Sequence, residues 1–215
     1  MDNSSLVTTE HFRYIAERTS AEDALLRDLK SAAVADGIPP IWIAPEQASF
    51  MQILLKAARA KEVVEIGTLA GYSAITMARA LPAGGRVRTI EIVPKHADFA
   101  CRWIAKSEVA GKIEVTLGAA MDVLPKFAAD SADAAFLDAD KASYPQYLEE
   151  CLRIVRRGGL ILVDNAFAFG ELFADSPRDK EVSAIRAFND LVAAEKRLQS
   201  VIVPIGDGLW VGVRR

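Results

Sequence analysis

Cysteine is scarce in this chain of 215 residues. Cys101 and Cys151 are the only two, and they stand far apart in segments that read as helices. Such a spacing gives neither a disulfide framework nor a metal-ligand pattern, so a reducing, cytoplasmic setting is expected. Histidine is as rare: His11 and His96 are the only two, and both are expected at the surface. Nowhere do about 18 uncharged apolar residues follow one another. The first 35 residues carry a charge every few positions and no apolar run of the signal-peptide kind, which argues against secretion and membrane spanning. Positive charge is not in surplus either: 26 Lys+Arg against 29 Asp+Glu leave a net charge of −3. The field that sequence-independent nucleic-acid binding needs is therefore missing, although a local basic patch is still open. What is present, 51% hydrophobic and 26% charged residues, is ordinary for a soluble globular protein. No repeat, low-complexity segment or composition shift marks a linker. Residues 1–215 read as one domain, with 1–40 as an N-terminal helical extension.

From Leu6 to Asp36 apolar residues recur at helical spacing, and the pattern stops at Gly37 before Pro39-Pro40. Pro45 to Ala60 continues as a helix with Phe50, Ile53, Leu54 and Ala57 on one face. An alternation follows: strand Val63–Ile66, a glycine loop, helix Ser73–Ala80, strand Arg86–Ile92, helix Lys95–Val109 and strand Ile113–Leu117. It goes on with a short helix at Met121–Phe127, strand Ala134–Leu137, helix Tyr144–Val155 and strand Leu160–Val163. Nearly continuous apolar strands separated by helices predict a parallel sheet covered on both faces, a doubly wound α/β domain. Helix Lys180–Ala194 then leads to Leu198–Val203, Gly206-Asp207-Gly208 and Leu209–Val213, a closing β-hairpin.

Four signals carry chemistry. The first is the loop Glu65-Ile66-Gly67-Thr68-Leu69-Ala70-Gly71-Tyr72-Ser73, whose glycines let backbone approach a ligand at the carboxyl end of the first strand. Its G-x-x-x-G spacing and the adjacent Glu65 disfavour a dinucleotide or nucleoside triphosphate and suit a cationic nucleoside cofactor. Glycine needed only for a tight turn is the plainer reading. The second is Glu91, ending the next strand, where a carboxylate can accept both hydroxyls of a ribose; a solvated strand-end Glu is its plainer reading. The third is Asp138 after the fourth strand with Asp164-Asn165 after the fifth. Equivalent ends of neighbouring parallel strands lie side by side, so three hard oxygen ligands converge on one volume, suiting Mg²⁺, Mn²⁺ or Ca²⁺ and not zinc. Asp164-Asn165 can also form a turn or helix cap. The fourth is Lys141, three residues beyond Asp138, whose amine can serve as a general base beside a cation or can be an ordinary surface lysine.

Together these residues resemble the cation-dependent, S-adenosylmethionine-dependent O-methyltransferases, which include the catechol and caffeoyl-coenzyme A types. The likeness spans nearly the whole chain. It runs through Ala48-Ser49-Phe50-Met51-Gln52-Ile53-Leu54, the glycine loop, Leu81-Pro82-Ala83-Gly84-Gly85, Asp138-Ala139-Asp140-Lys141, Gly158-Gly159, Asp164-Asn165 and Gly206-Asp207-Gly208. The resemblance implies a Rossmann-like methyltransferase fold with a mostly parallel seven-stranded sheet. It implies that Glu65, Gly67, Tyr72 and Ser73 line the methionine part of the cofactor site, Glu91 the ribose, and Gly118, Ala119 and Ala120 the adenine edge. Ile41 and Ile43 would close over the cofactor. Asp138, Asp164 and Asn165 would be the metal ligands, with Mg²⁺ the default; Asp138 also borders the cofactor, Asp140 approaches its amino group, and Lys141 is the catalytic base. The acceptor would be a small phenolic molecule and the protein a homodimer.

The acceptor side departs from the catechol type, because Trp210 stands where that enzyme has an acidic residue. Ala166–Arg178, with Phe167, Phe169 and Phe173, reads as a loop that either walls a planar acceptor or packs against a second subunit or the domain's own core. Trp42 and Trp103 read as packing, and Arg156-Arg157-Gly158-Gly159 as a helix C-terminus with its glycine cap. Two other functions stay open. One is methylation of a hydroxylated nucleoside in tRNA, to which Arg178, Lys180 and Arg186 would contribute a basic apron. The other is a non-catalytic cofactor-binding scaffold.

Overall fold

Glu62–Ile66 forms an interior strand, β1, of a seven-stranded sheet in the computed structural model, which describes residues 7–215. The other strands are β2 (Arg86–Glu91), β3 (Ile113–Leu117), β4 (Ala132–Leu137), β5 (Val155–Val163), β6 (Leu198–Val203) and β7 (Leu209–Arg214). They lie in the order β3-β2-β1-β4-β5-β7-β6. The first five run parallel, and β7 is antiparallel to both β5 and β6. This is the expected Rossmann-like methyltransferase fold with its antiparallel closing hairpin.

Among the described residues there are eight α-helices: α1 (Thr9–Ala16), α2 (Ala24–Ala35), α3 (Pro45–Ala57), α4 (Tyr72–Ala80), α5 (Pro94–Ile104), α6 (Ala120–Val123), α7 (Tyr144–Ile154) and α8 (Val182–Ala194). Strand residues alternate between two cores. Val63, Val87 and Phe136 pack with Leu29, Met51, Ile75 and Phe99 on one face, while Val64, Ile90 and Leu137 pack with Leu148 and Phe188 on the other. Burial on both faces is why the strands read as unbroken apolar runs. No helix among the described residues is long and apolar enough to cross a membrane.

The expected N-terminal helical layer is two helices, α1 and α2, and three local expectations beyond it are corrected. Asp23 breaks the run by capping α2, its Oδ1 accepting from Leu26 N at 3.0 Å, and α1 buries no residue; Leu6 lies outside the described residues. On α3 the buried face is Gln47, Ala48, Met51 and Leu55, whereas Ile53 and Ala57 are exposed. Helix α5 stops at Ile104, followed by a turn in which Ser107 Oγ donates to Ile104 O at 2.7 Å. Strand β5 begins at Val155, so the Arg156–Gly159 run lies within the strand and does not end a helix. There Arg156 Nε binds Asp133 Oδ1 at 2.6 Å, and a Cβ on Gly159 would stand 2.6 Å from Asp133 O. Close strand packing, and not a helix cap, requires that glycine.

The strand order reverses at β1, with β2 and β3 to one side and β4 and β5 to the other. Ile66 pairs with Ile90 and Leu137, and Leu137 with Val163. Gly67, Asp138 and Asp164 therefore emerge in one row, at the crevice where α/β sheets of this kind bind ligands.

Candidate active site

Gly67 has φ +98°, and a Cβ there would lie 1.9 Å from Asp138 O. Gly71, with φ +85°, opens α4 and packs against Ala100. Both glycines are thus required sterically, and Gly67 also lines a cavity of about 1090 Å³.

On the β1–β2 side, Glu91 is buried and not solvated. Its Oε2 accepts from Thr68 N (3.2 Å) and Leu69 N (2.8 Å), and its Oε1 from Val93 N (2.9 Å). Three backbone donors lock the carboxylate on the cavity wall while leaving acceptor capacity for a ligand. His96, expected at the surface, instead lines the cavity half-buried, with Nδ1 3.7 Å from Glu91 Oε1; His11 is exposed as expected. Ile41, Ile43, Tyr72, Ser73, Gly118, Ala119 and Ala120 all line the same space, joined by Trp42, which also packs on the core. Tyr72 is gripped from behind: Lys30 Nζ sits 4.6 Å from its ring centroid and pairs with Glu22, and burial and Glu22 raise the phenol's pKa. Glu65 does not line the cavity. It is wholly buried behind the wall, near Ser73 and Thr89, with no well-formed hydrogen bond to either oxygen. Burial pushes its pKa up to about 8.

On the β4–β5 side, Lys141 is only 4% exposed, in a short 3₁₀ turn that brings it back over the strand end. Its Nζ donates to Asp138 Oδ1 at 3.1 Å and to Tyr144 Oη at 2.6 Å. Tyr144 is fully buried, and burial followed by the charges of Asp138 and Asp164 keeps its phenol protonated. Asp140 lines the cavity and holds the turn: Ser143 N donates to its Oδ2 (3.1 Å) and Tyr147 Oη to its Oδ1 (2.6 Å). Asp164, 6% exposed, accepts from Gln47 Nε2 at 2.7 Å. Its pKa is raised to about 7 by burial and then by Asp138. Asn165, in left-handed backbone at φ +65°, donates from Nδ2 to Asp207 Oδ2 at 3.1 Å. Asp138, Asp164 and Asn165 all line the cavity, as their strand-end positions predict.

Among the described residues, no three His, Cys, Asp or Glu side chains form a cluster that could hold a metal ion. The candidate set has two carboxylates and one amide. Its chemistry fits a hard cation nonetheless: two carboxylates repel one another in a buried setting, and Asn165 Nδ2 is occupied by Asp207, which leaves the amide oxygen for ligation. Gln47, Tyr144 and Asp207 belong to this side and were not among the expected residues. Lys141 and Tyr144 are three apart, the spacing that signals one face of a helical turn. Gln47 and Asp207 had no local signal beyond the glycines flanking Asp207. Trp210 faces away from the cavity: it is buried in the opposite core, where Nε1 donates to Asn189 Oδ1 at 2.6 Å. In the loop, Phe167 is half-buried against Gly208, Phe169 lines the cavity, and Phe173 is 92% exposed, so the three do not form one buried cluster.

A seven-stranded Rossmann-like sheet with this cavity at its switch point is the architecture of a methyltransferase. The O-methyltransferase family model matches residues 16–215, and the chain belongs to that family. Catechol O-methyltransferase of Niastella koreensis is 37% identical over 207 residues, covering 94% of this chain and 92% of that protein. Catechol O-methyltransferase of Mycobacterium tuberculosis is 38% identical over 191 residues, covering 89% and 87%. The crystal structure of an O-methyltransferase from Bacillus cereus in complex with SAH is 34% identical, with a TM-score of 0.85 over 96% of this chain and 98% of that one.

Proposed function

We propose that this O-methyltransferase transfers a methyl group from S-adenosylmethionine to a hydroxyl of a catechol-like or hydroxycinnamoyl-like small molecule, with a divalent cation, Mg²⁺ first among Mg²⁺, Mn²⁺ and Ca²⁺, at Asp138, Asp164 and Asn165. One observation carries this reading: Lys141 Nζ lies 3.1 Å from Asp138 Oδ1 on one wall of a cavity whose other wall presents the locked carboxylate of Glu91. Support comes also from relatives named as catechol O-methyltransferases and from the SAH complex of the Bacillus cereus protein.

In this reading Gly67, Tyr72 and Ser73 bind the methionine part, Glu65 stands behind that wall without lining the cavity, and Glu91 accepts the ribose hydroxyls. Gly118, Ala119 and Ala120 border the adenine, Ile41 and Ile43 close over it, and Asp138 and Asp140 face the amino group. When bound, the cofactor supplies an electrophilic sulfonium methyl and the cation a positive charge that favours the deprotonated acceptor hydroxyl. Lys141 takes the hydroxyl proton at Nζ, while Tyr144 Oη and Asp138 Oδ1 hold that nitrogen in place. Asp164, Asn165 and Gln47 fix the acceptor end against the cofactor end. Holding two reactants in attack geometry is worth on the order of 7–11 kcal/mol, more than one general base supplies.

A small phenolic acceptor is favoured over tRNA by the charge of the cavity and by two of the three loop cations, the third, Lys180, being exposed. Arg178 Nε is paired with Glu171 Oε1 at 2.6 Å, and Arg186 is committed to the carbonyls of Glu171, Leu172 and Ala174. Among the described residues only Lys141 and His96 bring basic side chains to the cavity, against acids that include Asp179, Glu181 and Asp207. A non-catalytic scaffold has no use for a buried lysine beside Asp138. The reading also includes the homodimer and the cytoplasmic location, which light scattering of the purified protein and cell fractionation test. Incubation with S-adenosylmethionine, Mg²⁺ and a panel of vicinal diphenols, including caffeate and its coenzyme A ester, tests the reaction itself. Methylated product from at least one is expected. Cofactor binding without product from any of them would overturn the acceptor class and move the search to tRNA.

A further inference from the structure

The turn between β6 and β7 reaches across the sheet end and holds the acceptor side of the cavity. Asp207 Oδ2 accepts from Asn165 Nδ2 (3.1 Å) and Phe169 N (2.8 Å), and its Oδ1 from Gly170 N (3.2 Å). Its backbone carbonyl accepts from Phe167 N (2.8 Å), and that of Gly208 from Ala166 N (2.9 Å). Five hydrogen bonds thus tie the hairpin turn to the chain leaving β5. That chain needs tying, because Asn165, Ala168 and Phe169 all have φ between +54° and +65°, backbone that residues with a Cβ disfavour. The flanking glycines seat the turn: a Cβ on Gly206 would meet Gln47 Oε1 at 2.0 Å, and one on Gly208 would meet the Phe167 ring at 2.8 Å. Gln47 is in turn the donor to Asp164.

We propose that Asp207 is a positioning residue for the acceptor half. By taking Asn165 Nδ2 it fixes which end of that amide is available beside Asp164. By taking the Phe169 and Gly170 amides it holds the aromatic wall in its strained conformation. The inference about the amide rests on the cation reading given above; the inference about the wall does not. Among the described residues the hydrogen bonds of the Asp207 side chain all go to Asn165, Phe169 and Gly170, none to the β1–β2 side that holds Glu91, so its loss separates the two halves of the cavity.

The test compares the wild type with Asp207→Ala, Asp207→Asn, Asn165→Ala and the Asn165→Ala/Asp207→Ala double variant. Mn²⁺ is titrated into the S-adenosylhomocysteine-bound protein, S-adenosylhomocysteine affinity is measured by calorimetry, KM is measured for 4-methylcatechol, and chymotryptic cleavage after Phe169 and Phe173 is timed. Asp207→Ala is expected to weaken Mn²⁺ by roughly 10–100-fold, the usual effect of losing a partner that orients a ligand. It should also raise the acceptor KM and speed cleavage, while leaving S-adenosylhomocysteine affinity within about twofold. Asp207→Asn keeps one acceptor oxygen and recovers part of each loss; it carries the same test if the alanine variant fails to fold. Because Asp207 acts on the cation through Asn165, the double variant should bind Mn²⁺ no more than about twofold worse than Asn165→Ala alone. Unchanged cleavage and KM in both Asp207 variants would overturn the proposal, as would a parallel fall in S-adenosylhomocysteine affinity or additive losses in the double variant. If the wild type binds no Mn²⁺, the cation reading fails, and cleavage and KM still decide the role of Asp207 at the wall.

Discussion

On the β1–β2 side of the cavity the wall is built from short runs of sequence. Ile66 to Ser73 supplies one, Ile90 to Ile92 the next and Gly118 to Met121 the last, each at the end of a strand, with Ile41 to Ala44 joining them ahead of α3. On the β4–β5 side, Gln47, Asp164 and Asp207 meet from α3, β5 and the β6–β7 turn, and strained backbone carries Asn165 and Phe169. The first wall is fixed by strand register and backbone hydrogen bonds, which few substitutions of side chains can disturb. The second depends on side chains holding one another across long stretches of chain. Cofactor binding should therefore be robust and local, and acceptor binding fragile and distributed.

The sharpest way to break this contrast is Asp164→Ala. Turnover should fall by at least roughly 10³-fold, no less than in Lys141→Ala, because positioning and proton removal are both lost. S-adenosylhomocysteine affinity, measured by calorimetry, should hardly change. Comparable loss of both would merge the two halves. The converse substitution is Glu91→Ala, which strands the amides of Thr68, Leu69 and Val93. Cofactor affinity should drop about 10–100-fold with little change in acceptor KM. Smaller still is Phe169→Ala, which should raise the KM of a neutral catechol by roughly threefold to tenfold and leave cofactor affinity alone.

Glu65 gives the same comparison a pH dependence. Its pKa is about 8 in the folded chain against an ordinary value of 4.5. Between those values the folded state holds one more proton than the unfolded state, so this group's contribution to stability is full below about 4.5 and is lost as pH rises through 8. Glu65→Gln, which cannot ionise, should flatten the fall in melting temperature between pH 5 and 8, as scanning calorimetry would show. An unchanged slope would mean that the buried carboxyl ionises without penalty.

How much could be read from the sequence follows the same division. Short, nearly continuous apolar strands running out at Gly67, Asp138 and Asp164 predict a parallel sheet, and parallel register alone brings those residues into one row. Glu91 was legible for the same reason. Gln47 was not, because a polar residue on an amphipathic helix is ordinarily assigned to solvent, yet on α3 it lies on the buried face. That same inversion misplaced Ile53. Arg156–Gly159 was misread because glycine serves a helix cap and a tight strand contact equally well, and only the neighbouring Asp133 carbonyl distinguishes them. Trp210 was judged by sequence position against the catechol type, but it lies in the far core and Asp207 is one of the acids that line the cavity instead. Contacts between distant segments, which make up the acceptor half, leave no periodic trace for a sequence reader.

The most direct test of cation-assisted methyl transfer is the rate of methylation of 4-methylcatechol from S-adenosylmethionine with Mg²⁺ and with excess chelator, alongside S-adenosylhomocysteine binding under both conditions. Turnover that disappears in chelator and returns with Mg²⁺, while S-adenosylhomocysteine affinity stays the same, is the predicted result. Full turnover in chelator would contradict the assignment of Asp138, Asp164 and Asn165.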